Sequence, residues 1–315
     1  MISISEAKRK LPEHFIERLQ KQFSVHTADL ILRGMCVERL TTLRVNSLKY
    51  DIQSLMNDFK KLNIKFERVS WYPDALVIKN KTERELEKTN HYQEGKIYLQ
   101  SLSSMIPPLA LDPKPEEKIL DIAAAPGSKT TQMVSMMKNQ GLISAHDINP
   151  LRIEKLKFNL DKQGADIVEV IQDKYERNKD LPPLFYDRVL LDVPCSGEGL
   201  FQAGSAGTYR WWSVKEVNKL ASLQKKLFQL AVEALKEGGI LVYSTCTLNE
   251  EENEEVVKWA LENLSVEILE NPLKIKNFEE PCRFDVGNKE LEKKILRIIP
   301  DEKMEGFFVA KFRKK

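Results

Sequence analysis

The hydrophobic pattern of the chain changes at about residue 117, after which short apolar runs alternate with longer amphipathic segments. Short apolar runs are typical of buried strands, and apolar residues three or four positions apart are typical of helices. The predicted strands are residues 118–121, 141–147, 166–172, 187–193, 240–245, 266–269 and 306–313. The predicted helices are residues 128–138, 150–163, 213–236 and 249–264. Such alternation indicates an α/β fold, a doubly wound parallel sheet with helices on both faces.

The first 100 residues follow a different pattern. A largely helical stretch, a strand, an amphipathic helix and a strand pair are predicted there, in order, at residues 13–39, 42–46, 52–62, 65–69 and 75–79. We therefore predict a small α+β subdomain over residues 1–100 and a main domain over residues 101–315. Prolines at positions 107, 108, 113 and 115 mark the connection between the two.

Composition places the chain among globular proteins. Its 315 residues are 42% hydrophobic and 30% charged, which is ample for a core. No apolar run reaches the roughly 18 residues of a membrane span, and the first ten residues lack the apolar stretch of a signal peptide. The four cysteines include no C-x-x-C pair and the four histidines are scattered, so neither a zinc site nor a disulfide framework is expected. We expect a cytoplasmic monomer without a bound metal.

Charge is distributed unevenly along the chain, although the net value is only +2. Residues 1–100 carry 18 Lys and Arg against 13 Asp and Glu, whereas the remainder is net acidic. A basic N-terminal part beside an acidic body is typical of a protein with an anionic partner such as nucleic acid. A solvated surface without a partner explains the same imbalance, because no dense basic block is present.

Acidic residues end three successive predicted strands. Asp121, Asp147 and Asp173 occupy these positions, and residues 123–129 lead from the first of them into a helix. Small residues in such a loop let the backbone approach a ligand, and the helix N-terminus adds a positive dipole end. The loop is not G-x-G-x-x-G, which disfavours a dinucleotide, and carboxylates there can accept hydrogen bonds from ribose hydroxyls. The pattern predicts an adenosine-containing cofactor without phosphates, for which S-adenosylmethionine is the natural candidate.

Two cysteines follow the fourth and fifth predicted strands. Cys195 stands in Asp192-Val-Pro-Cys-Ser-Gly197, and Cys246 stands in Tyr243-Ser-Thr-Cys-Thr247. Because ligands bind at the carboxyl ends of parallel strands, both thiols and Asp192 are expected in the crevice of the cofactor loop. Thiols in that position indicate covalent catalysis, although a free cysteine is more often a buried small hydrophobe.

These segments resemble the three signature motifs of the Nop/Sun (RsmB-like) family of S-adenosylmethionine-dependent RNA cytosine carbon-5 methyltransferases. The motifs are residues 121–130 (DIAAAPGSKT), 192–197 and 243–247, and the similarity covers roughly residues 95–315 with a further segment at 43–49. It implies a class I methyltransferase fold, a Rossmann-like sheet of seven strands, and methyl transfer to carbon 5 of a cytidine in tRNA or rRNA. Ala123 departs from the pattern, because many members carry cysteine there.

The resemblance also implies residue roles. Cys246 would be the nucleophile that adds to carbon 6 of the base and so activates carbon 5, and Cys195 would help to resolve the adduct. Asp192 would contact the base and the cofactor, with Lys129 supporting the site. The residues expected to bind the cofactor are Ala123, Ala124, Ala125, Pro126, Gly127, Ser128, Lys129, Asp147, Arg152, Asp173 and Asp192.

The segment after Cys246 carries two further expectations. A helix capped by Asn249 would direct its positive end toward the thiol and favour the thiolate. We interpret the acidic run over residues 250–255 as charges that favour the N-terminus of that helix.

Two alternatives concern the reaction itself. DNA cytosine carbon-5 enzymes place their nucleophile in a Pro-Cys pair, so Cys195 is a rival for that role, although the Ser-Thr-Cys-Thr sequence favours Cys246. Amino-methylating enzymes carry Asn/Asp-Pro-Pro-Tyr, which differs from the sequence beginning at Asp192. The chain could also be a non-catalytic RNA-binding assembly factor with the same fold, against which the intact set of Asp192, Cys195 and Cys246 argues.

RNA contacts are expected from two places. The aromatic and basic loop over residues 201–212 could contact a flipped-out nucleotide, although Trp211 and Trp212 are more simply explained as anchors of the next helix. The candidate phosphate contacts in the basic N-terminal part are Arg33, Arg39, Arg44, Lys49 and Lys96. The sequence does not distinguish a tRNA target from an rRNA target.

Overall fold

The computed structural model of the chain describes residues 2–172, 181–273, 275 and 293–315. It begins with three helices, α1 (Ile4–Lys10), α2 (Glu13–Gln22) and α3 (Val25–Met35). Ser3 and Ser24 cap α1 and α3, because their side chains accept a backbone N–H three residues later. The predicted helical stretch over residues 13–39 is therefore two helices with a break at residues 23–24, and α1 precedes it as a helix that the sequence did not predict.

A small antiparallel sheet follows these helices. Its strand order is β2-β3-β1-β4, and its strands are β1 (Thr41–Val45), β2 (Phe66–Arg68), β3 (Ala75–Ile78) and β4 (Ile97–Leu99). The helices of this region are α4 (Ile52–Lys61), α5 (Glu83–Leu86) and α6 (Asn90–Gln93). The predicted α+β character is confirmed, whereas the division of the chain at residue 100 stays a prediction.

The main sheet has eight strands within the described residues. They are β5 (Lys118–Ile122), β6 (Leu142–Asp147), β7 (Val168–Gln172), β8 (Tyr186–Asp192), β9 (Leu235–Thr245), β10 (Val266–Leu269), β11 (Leu296–Ile298) and β12 (Phe307–Lys314). Seven of them follow the order β10-β12-β9-β8-β5-β6-β7, and β11 pairs with β12 off this path. The pairs from β7 to β9 are parallel, while β12 and β10 are antiparallel to their neighbours. The doubly wound Rossmann-like sheet is confirmed, and β11 is an addition that the sequence did not predict.

The topology defines where a ligand binds. The chain runs outward from β5 through β6 to β7 and then returns to place β8 on the other side of β5. This reversal is the switch point of a doubly wound sheet, where the loops leaving the strands on either side open a crevice. The loops after β5 and β8 therefore flank the site.

Helices cover both faces of the main sheet. They are α7 (Leu102–Leu111), α8 (Ser128–Met136), α9 (Pro150–Gln163), α10 (Val214–Ala234) and α11 (Glu254–Asn263). On β8, Val189 and Leu191 pack with residues of α10 and α11, while Leu190 packs with residues of α7 and α8. Because both faces are buried, these strands are continuously apolar rather than alternating.

The sequence pattern does not predict helix α7, because the prolines in this region are interpreted as marking the connection between the two domains. Pro107 and Pro108 lie inside this helix, where they remove two backbone donors. The carbonyl of Ser104, which Pro108 leaves without its helical donor, accepts a hydrogen bond from the Gln100 side chain instead. This substitute donor lets a Pro-Pro pair continue in a fully buried helix.

Two predicted boundaries around β9 are wrong. Helix α10 ends at Ala234, and β9 starts at once with Leu235 paired to Tyr186. Gly238 and Gly239 do not end a helix; they lie in β9, where its register with β8 shifts. A further predicted boundary is also wrong: α11 begins at Glu254 and not after Asn249.

Candidate active site

The loop between β5 and α8 is held from behind by the end of β6. The Asp147 carboxylate, which is 1% exposed, accepts hydrogen bonds from the backbone N–H groups of Ala125 and Asn149, at 3.2 and 3.0 Å. Gly127 has a φ of +100°, and a Cβ there would lie 2.8 Å from a methyl carbon of Leu156. Glycine is therefore required both for the turn and for close packing of α9 against the loop.

Helix α9 also contacts the loop with two polar side chains. The Arg152 guanidinium binds the carbonyl of Ala125 and lies 3.4 Å from the Asp147 carboxylate. The Asn159 side chain donates to the carbonyl of Pro126 at 2.9 Å. The predicted residues Asp147 and Arg152 thus shape the loop directly.

A cavity of about 220 Å³ opens at the switch point between β5 and β8. It is lined by Asp121, Ala123, Ala124, Ala125, Pro126, Ser128, Lys129, Arg152, Asp192, Val193, Pro194, Cys195 and Cys246. The structure therefore brings the predicted cofactor loop together with all four predicted catalytic residues. Gly127 and Asp147 are not among the lining residues, and Asp173 lies outside the described residues.

A buried lysine connects the cofactor loop to the turn after β8. Lys129 Nζ lies 2.8 Å from an oxygen of Asp192 and donates to the Ser104 hydroxyl at 2.8 Å. The other Asp192 oxygen accepts from the Ser244 hydroxyl at 2.6 Å. Burial lowers the pKa of Lys129, but the Asp192 carboxylate outweighs it and raises that pKa, so the ammonium is retained.

Beside Asp192, the cavity wall contains a second carboxyl group, that of the buried Asp121. Burial raises its pKa to about 7, a hydrogen bond from the Thr130 hydroxyl opposes the rise, and the nearby Asp192 charge adds to it. Asp121 and Asp192 therefore place two carboxyl groups in the cavity wall, and Asp147 lies behind the loop. These carboxyl groups can accept hydrogen bonds from ribose hydroxyls, attract a cationic sulfonium and disfavour a pyrophosphate, so the residues present fit S-adenosylmethionine.

The two cysteines lie against each other at the cavity wall. Their Sγ atoms are 3.0 Å apart, and the Cys246 N–H donates to the Cys195 sulfur at 3.2 Å. The hydrogen bond with Cys246, together with burial, raises the pKa of the Cys195 thiol well above its ordinary value.

A buried acid that the sequence analysis missed holds these turns in place. Glu252 is completely buried, and its carboxylate accepts from the Ser196 N–H at 3.0 Å and from Gln224 and Asn249 at 2.8 Å each. The run over residues 250–255 is thus not simply a set of helix-favouring charges. Asn249 belongs to this network and does not cap a helix. The prediction that a helix starting at Asn249 directs its positive end toward Cys246 is therefore wrong.

Glu198 forms a second buried bridge. Its carboxylate accepts from the Trp212 indole N–H at 2.9 Å and from the Leu248 N–H at 3.2 Å. Burial raises the pKa of this carboxyl as well. The turn after Cys195, the loop over residues 201–212 and the segment after Cys246 are therefore tied to one another.

The buried Glu252 carboxyl predicts a pH-dependent stability. Burial raises its pKa to about 7 from an ordinary value of 4.5, so its favourable contribution is complete below pH 4.5 and lost as the pH rises through 7. The difference corresponds to about 3 kcal/mol. We expect Glu252→Gln to reduce the fall in melting temperature between pH 5.5 and 7.5, measured by calorimetry, without abolishing it because Asp121 titrates in the same direction.

Glu255→Gln is the matched control for this experiment, because Glu255 lies in the same acidic run and is exposed. It should show the pH dependence of the wild type. A Glu252→Gln protein whose melting temperature changes with pH as steeply as that of the wild type would contradict the assignment.

The structure corrects part of the predicted RNA contacts. Arg44 is fully buried and donates to Gln100, to Thr131 and to the Ser128 carbonyl, so it cannot contact a phosphate. It ties the small sheet to the start of α8 instead. Arg39 donates to two backbone carbonyls of the turn after Cys195, those of Gly199 and Leu200.

The remaining three candidates are engaged at or near the surface. Arg33 and Lys96 form ion pairs with Asp29 and Glu94, and Lys49 donates to the Lys162 carbonyl at 2.9 Å. Surface ion pairs are weak and leave such side chains available to an anionic ligand.

The two adjacent tryptophans have different environments. Trp212 packs edge-on against Phe15 of α2 and bonds to Glu198, so it ties its loop to the N-terminal helices, and the anchoring of the next helix stays a prediction. Trp211 is 79% exposed, so the same prediction is wrong for it.

None of the helices in the described part of the chain is long and apolar enough to cross a bilayer. Within the same ranges, no group of three His, Cys, Asp or Glu side chains could hold a metal ion.

A doubly wound sheet with an acid-lined cofactor loop at its switch point defines a class I S-adenosylmethionine-dependent methyltransferase. The model of the family described as 16S rRNA methyltransferase RsmB/F matches residues 108–313, and that of the N-terminal domain of 16S rRNA methyltransferase RsmF matches residues 11–102. The chain belongs to this RsmB/F family of methyltransferases, as its resemblance to Nop/Sun enzymes predicts.

Individual relatives agree with this assignment. The chain is 37% identical to a tRNA (cytosine(49)-C(5))-methyltransferase of Pyrococcus abyssi, over 87% of this chain and 88% of the relative. It is 34% identical to ribosomal RNA small subunit methyltransferase F of Cronobacter sakazakii, with 96% of this chain matching but only 63% of the longer relative. A crystal structure of a methyltransferase homolog from Pyrococcus horikoshii is 34% identical, superposes with a TM-score of 0.86, and covers 99% of this chain and 98% of its own.

Proposed function

We propose that the protein transfers a methyl group from S-adenosylmethionine to carbon 5 of a cytidine in tRNA or rRNA, through a covalent adduct with Cys246. The observation that carries this proposal is the contact between Cys195 and Cys246 in the same cavity as Asp192 and the cofactor loop. The relatives named for methylation of tRNA cytosine and of small-subunit rRNA support an RNA substrate.

The chemistry requires a nucleophile on the protein. Carbon 5 of cytosine is a poor nucleophile, but a thiolate that adds to carbon 6 converts the ring to an enamine in which carbon 5 can attack an electrophile. When bound, S-adenosylmethionine supplies the electrophilic methyl group. The loop over residues 123–129 would hold it, with Asp147 and Arg152 fixing the loop from behind.

The proton shared by the two thiols favours Cys246 as the nucleophile. Because its raised pKa keeps the proton on Cys195, that thiol would be the donor in the 3.0 Å contact with the Cys246 sulfur. Cys246 is then the sulfur that adds to carbon 6, with the Cys195 S–H directed at it.

Asp192 would position the base for this addition. Its carboxylate is fixed by Lys129 and Ser244 and still lines the cavity, where it can contact the ring nitrogen and the amino group of cytosine. A proton that the ring nitrogen takes from solvent would be held against this carboxylate, would make carbon 6 more electrophilic, and would return to solvent when the product leaves. Lys129 acts through Asp192 and is a positioning residue.

Release of the product requires removal of the proton on carbon 5. Once the Cys246 sulfur is bonded to carbon 6, it no longer accepts the hydrogen bond that kept the proton on Cys195. Cys195 then releases this proton to solvent. The Cys195 thiolate then takes the carbon-5 proton while the bond between carbon 6 and the Cys246 sulfur breaks. The pair returns to its starting state, and one proton is released for each methyl group transferred.

The experiment that tests this function uses labelled S-adenosylmethionine with unmodified tRNA and, separately, unmodified small-subunit rRNA. We expect the label in 5-methylcytidine after digestion to nucleosides, in one of the two RNAs. Label in N4-methylcytidine or in another nucleoside would contradict the proposed chemistry. RNA binding without transfer to either RNA would favour a non-catalytic assembly factor.

A further inference from the structure

Trp211 is an exposed aromatic side chain on the loop that follows the turn of Cys195. Its indole is 79% exposed even though the Arg210 guanidinium lies 4.9 Å from the ring centre. Exposing so large an apolar side chain to water is unfavourable in free energy, and most tryptophan side chains in proteins are largely buried. An arginine beside an exposed aromatic ring forms a cationic, flat surface.

The backbone around Trp211 is held firmly. Tyr209 packs on Phe201, and Trp212 packs on Phe15. Trp212 also bonds to Glu198, which in turn accepts from the Leu248 N–H two residues after Cys246. The exposed ring is therefore presented on a fixed support that is tied to the turns of both catalytic cysteines.

The local charge favours an anionic partner. Between Glu198 and Glu216 the only charged residues in the sequence are Arg210 and Lys215. Both side chains are exposed, and Glu216 is paired with Lys219. A positive surface with one exposed aromatic ring matches the pattern by which proteins bind single-stranded nucleic acid.

We propose that Trp211 stacks on an unpaired base of the RNA substrate, with Arg210 beside the stack, and so selects RNA whose target cytidine lies in a single-stranded or opened segment. This inference rests on the proposed function, because it assigns Trp211 to a nucleotide next to the one that enters the cavity. An unpaired base is required, because a paired base has both faces covered by its neighbours.

The test measures binding rather than turnover. The probe is a 12-nucleotide RNA of mixed sequence without cytidine, used single-stranded and annealed to its complement. We expect Trp211→Ala to weaken binding of the single strand by about 5- to 100-fold, the effect of losing one base stack, and to leave duplex binding unchanged. Trp211→Phe should recover most of the affinity, and the single strand should quench wild-type tryptophan fluorescence more than that of Trp211→Phe.

Phe158→Ala is the matched control, because Phe158 is an exposed aromatic residue on α9 with 64% exposure. It should bind the single strand as the wild type does, and none of the variants should change the melting temperature by more than a few degrees. Equal binding by wild type and Trp211→Ala, or an equal loss for single strand and duplex, would overturn the inference.

The two proposals fail separately. If Trp211 is required for binding the single strand but no RNA becomes methylated, the stacking contact stands and the proposed function fails. If 5-methylcytidine forms at the wild-type rate and KM for RNA in the Trp211→Ala protein, the stacking contact fails and the proposed function stands.

Discussion

Cys246→Ala is expected to lower methyl transfer to RNA by about four orders of magnitude or more, the scale of losing a catalytic nucleophile. Without the Cys246 sulfur, no nucleophile adds to carbon 6 of the cytosine, and carbon 5 remains part of an aromatic ring. The other cavity residues stay in place, so S-adenosylmethionine should still bind. The measurement is transfer of labelled methyl groups at saturating RNA, together with cofactor affinity by calorimetry.

Cys36→Ala provides the matched control, since Cys36 is a half-buried free cysteine that packs among the N-terminal helices and not at the cavity. It should retain wild-type transfer. A Cys246→Ala protein that still forms a covalent RNA adduct, beside a Cys195→Ala protein that forms none, would mean that the two cysteines exchange roles.

The place of the cavity was predictable because several of its residues lie at or just after the carboxyl ends of buried parallel strands. A strand with both faces covered is a continuous apolar run, so its end is visible in the sequence as the first polar turn. Asp121 and Asp192 lie in the last residues of β5 and β8, Cys246 directly follows β9, and the switch point of the sheet brings those ends together. Local pattern and topology therefore agree at this site.

The supporting residues were not predictable in the same way, because burial of a charged residue leaves no periodic signal. Glu252 stands in an acidic run that resembles a solvated helix start, and only the fold reveals three donors around its carboxylate. The same holds for Arg44, which resembles a surface base but bonds to the start of α8. An asparagine three residues before Glu252 is the one local sign of a turn in place of the predicted helix.

The adjacent residues Trp211 and Trp212 show the limit of composition most directly. Both were expected to bury their rings, yet Trp211 is exposed and Trp212 is partly buried, with its indole N–H bonded to the Glu198 carboxylate. Helix α7 is a related case: its Pro-Pro pair argues for a break until Gln100 supplies a substitute donor. In both cases a specific hydrogen-bond partner decides the outcome, and the residue pattern does not reveal it.

Cys195→Ala is expected to stop the reaction after methyl transfer and to leave the RNA bonded to the protein. Cys246 can still add to carbon 6, and carbon 5 can still be methylated, but the base that takes the carbon-5 proton is missing. Turnover should fall by at least about a hundredfold, in the range of general-base catalysis, while the first turnover persists. The measurement is a denaturation-resistant complex whose mass equals protein plus RNA plus one methyl group.

The Cys195→Ala, Cys246→Ala double variant isolates the bond that holds this complex. It should form no adduct, because the sulfur that would bond to carbon 6 is absent. Glu252 offers a further comparison: Glu252→Gln disturbs the Ser196 N–H beside Cys195 but keeps the thiol, so it should slow turnover without accumulating the adduct. A Cys195→Ala protein that turns over at the wild-type rate, or whose complex lacks the methyl group, would show that another group removes the proton or that Cys195 acts before methyl transfer.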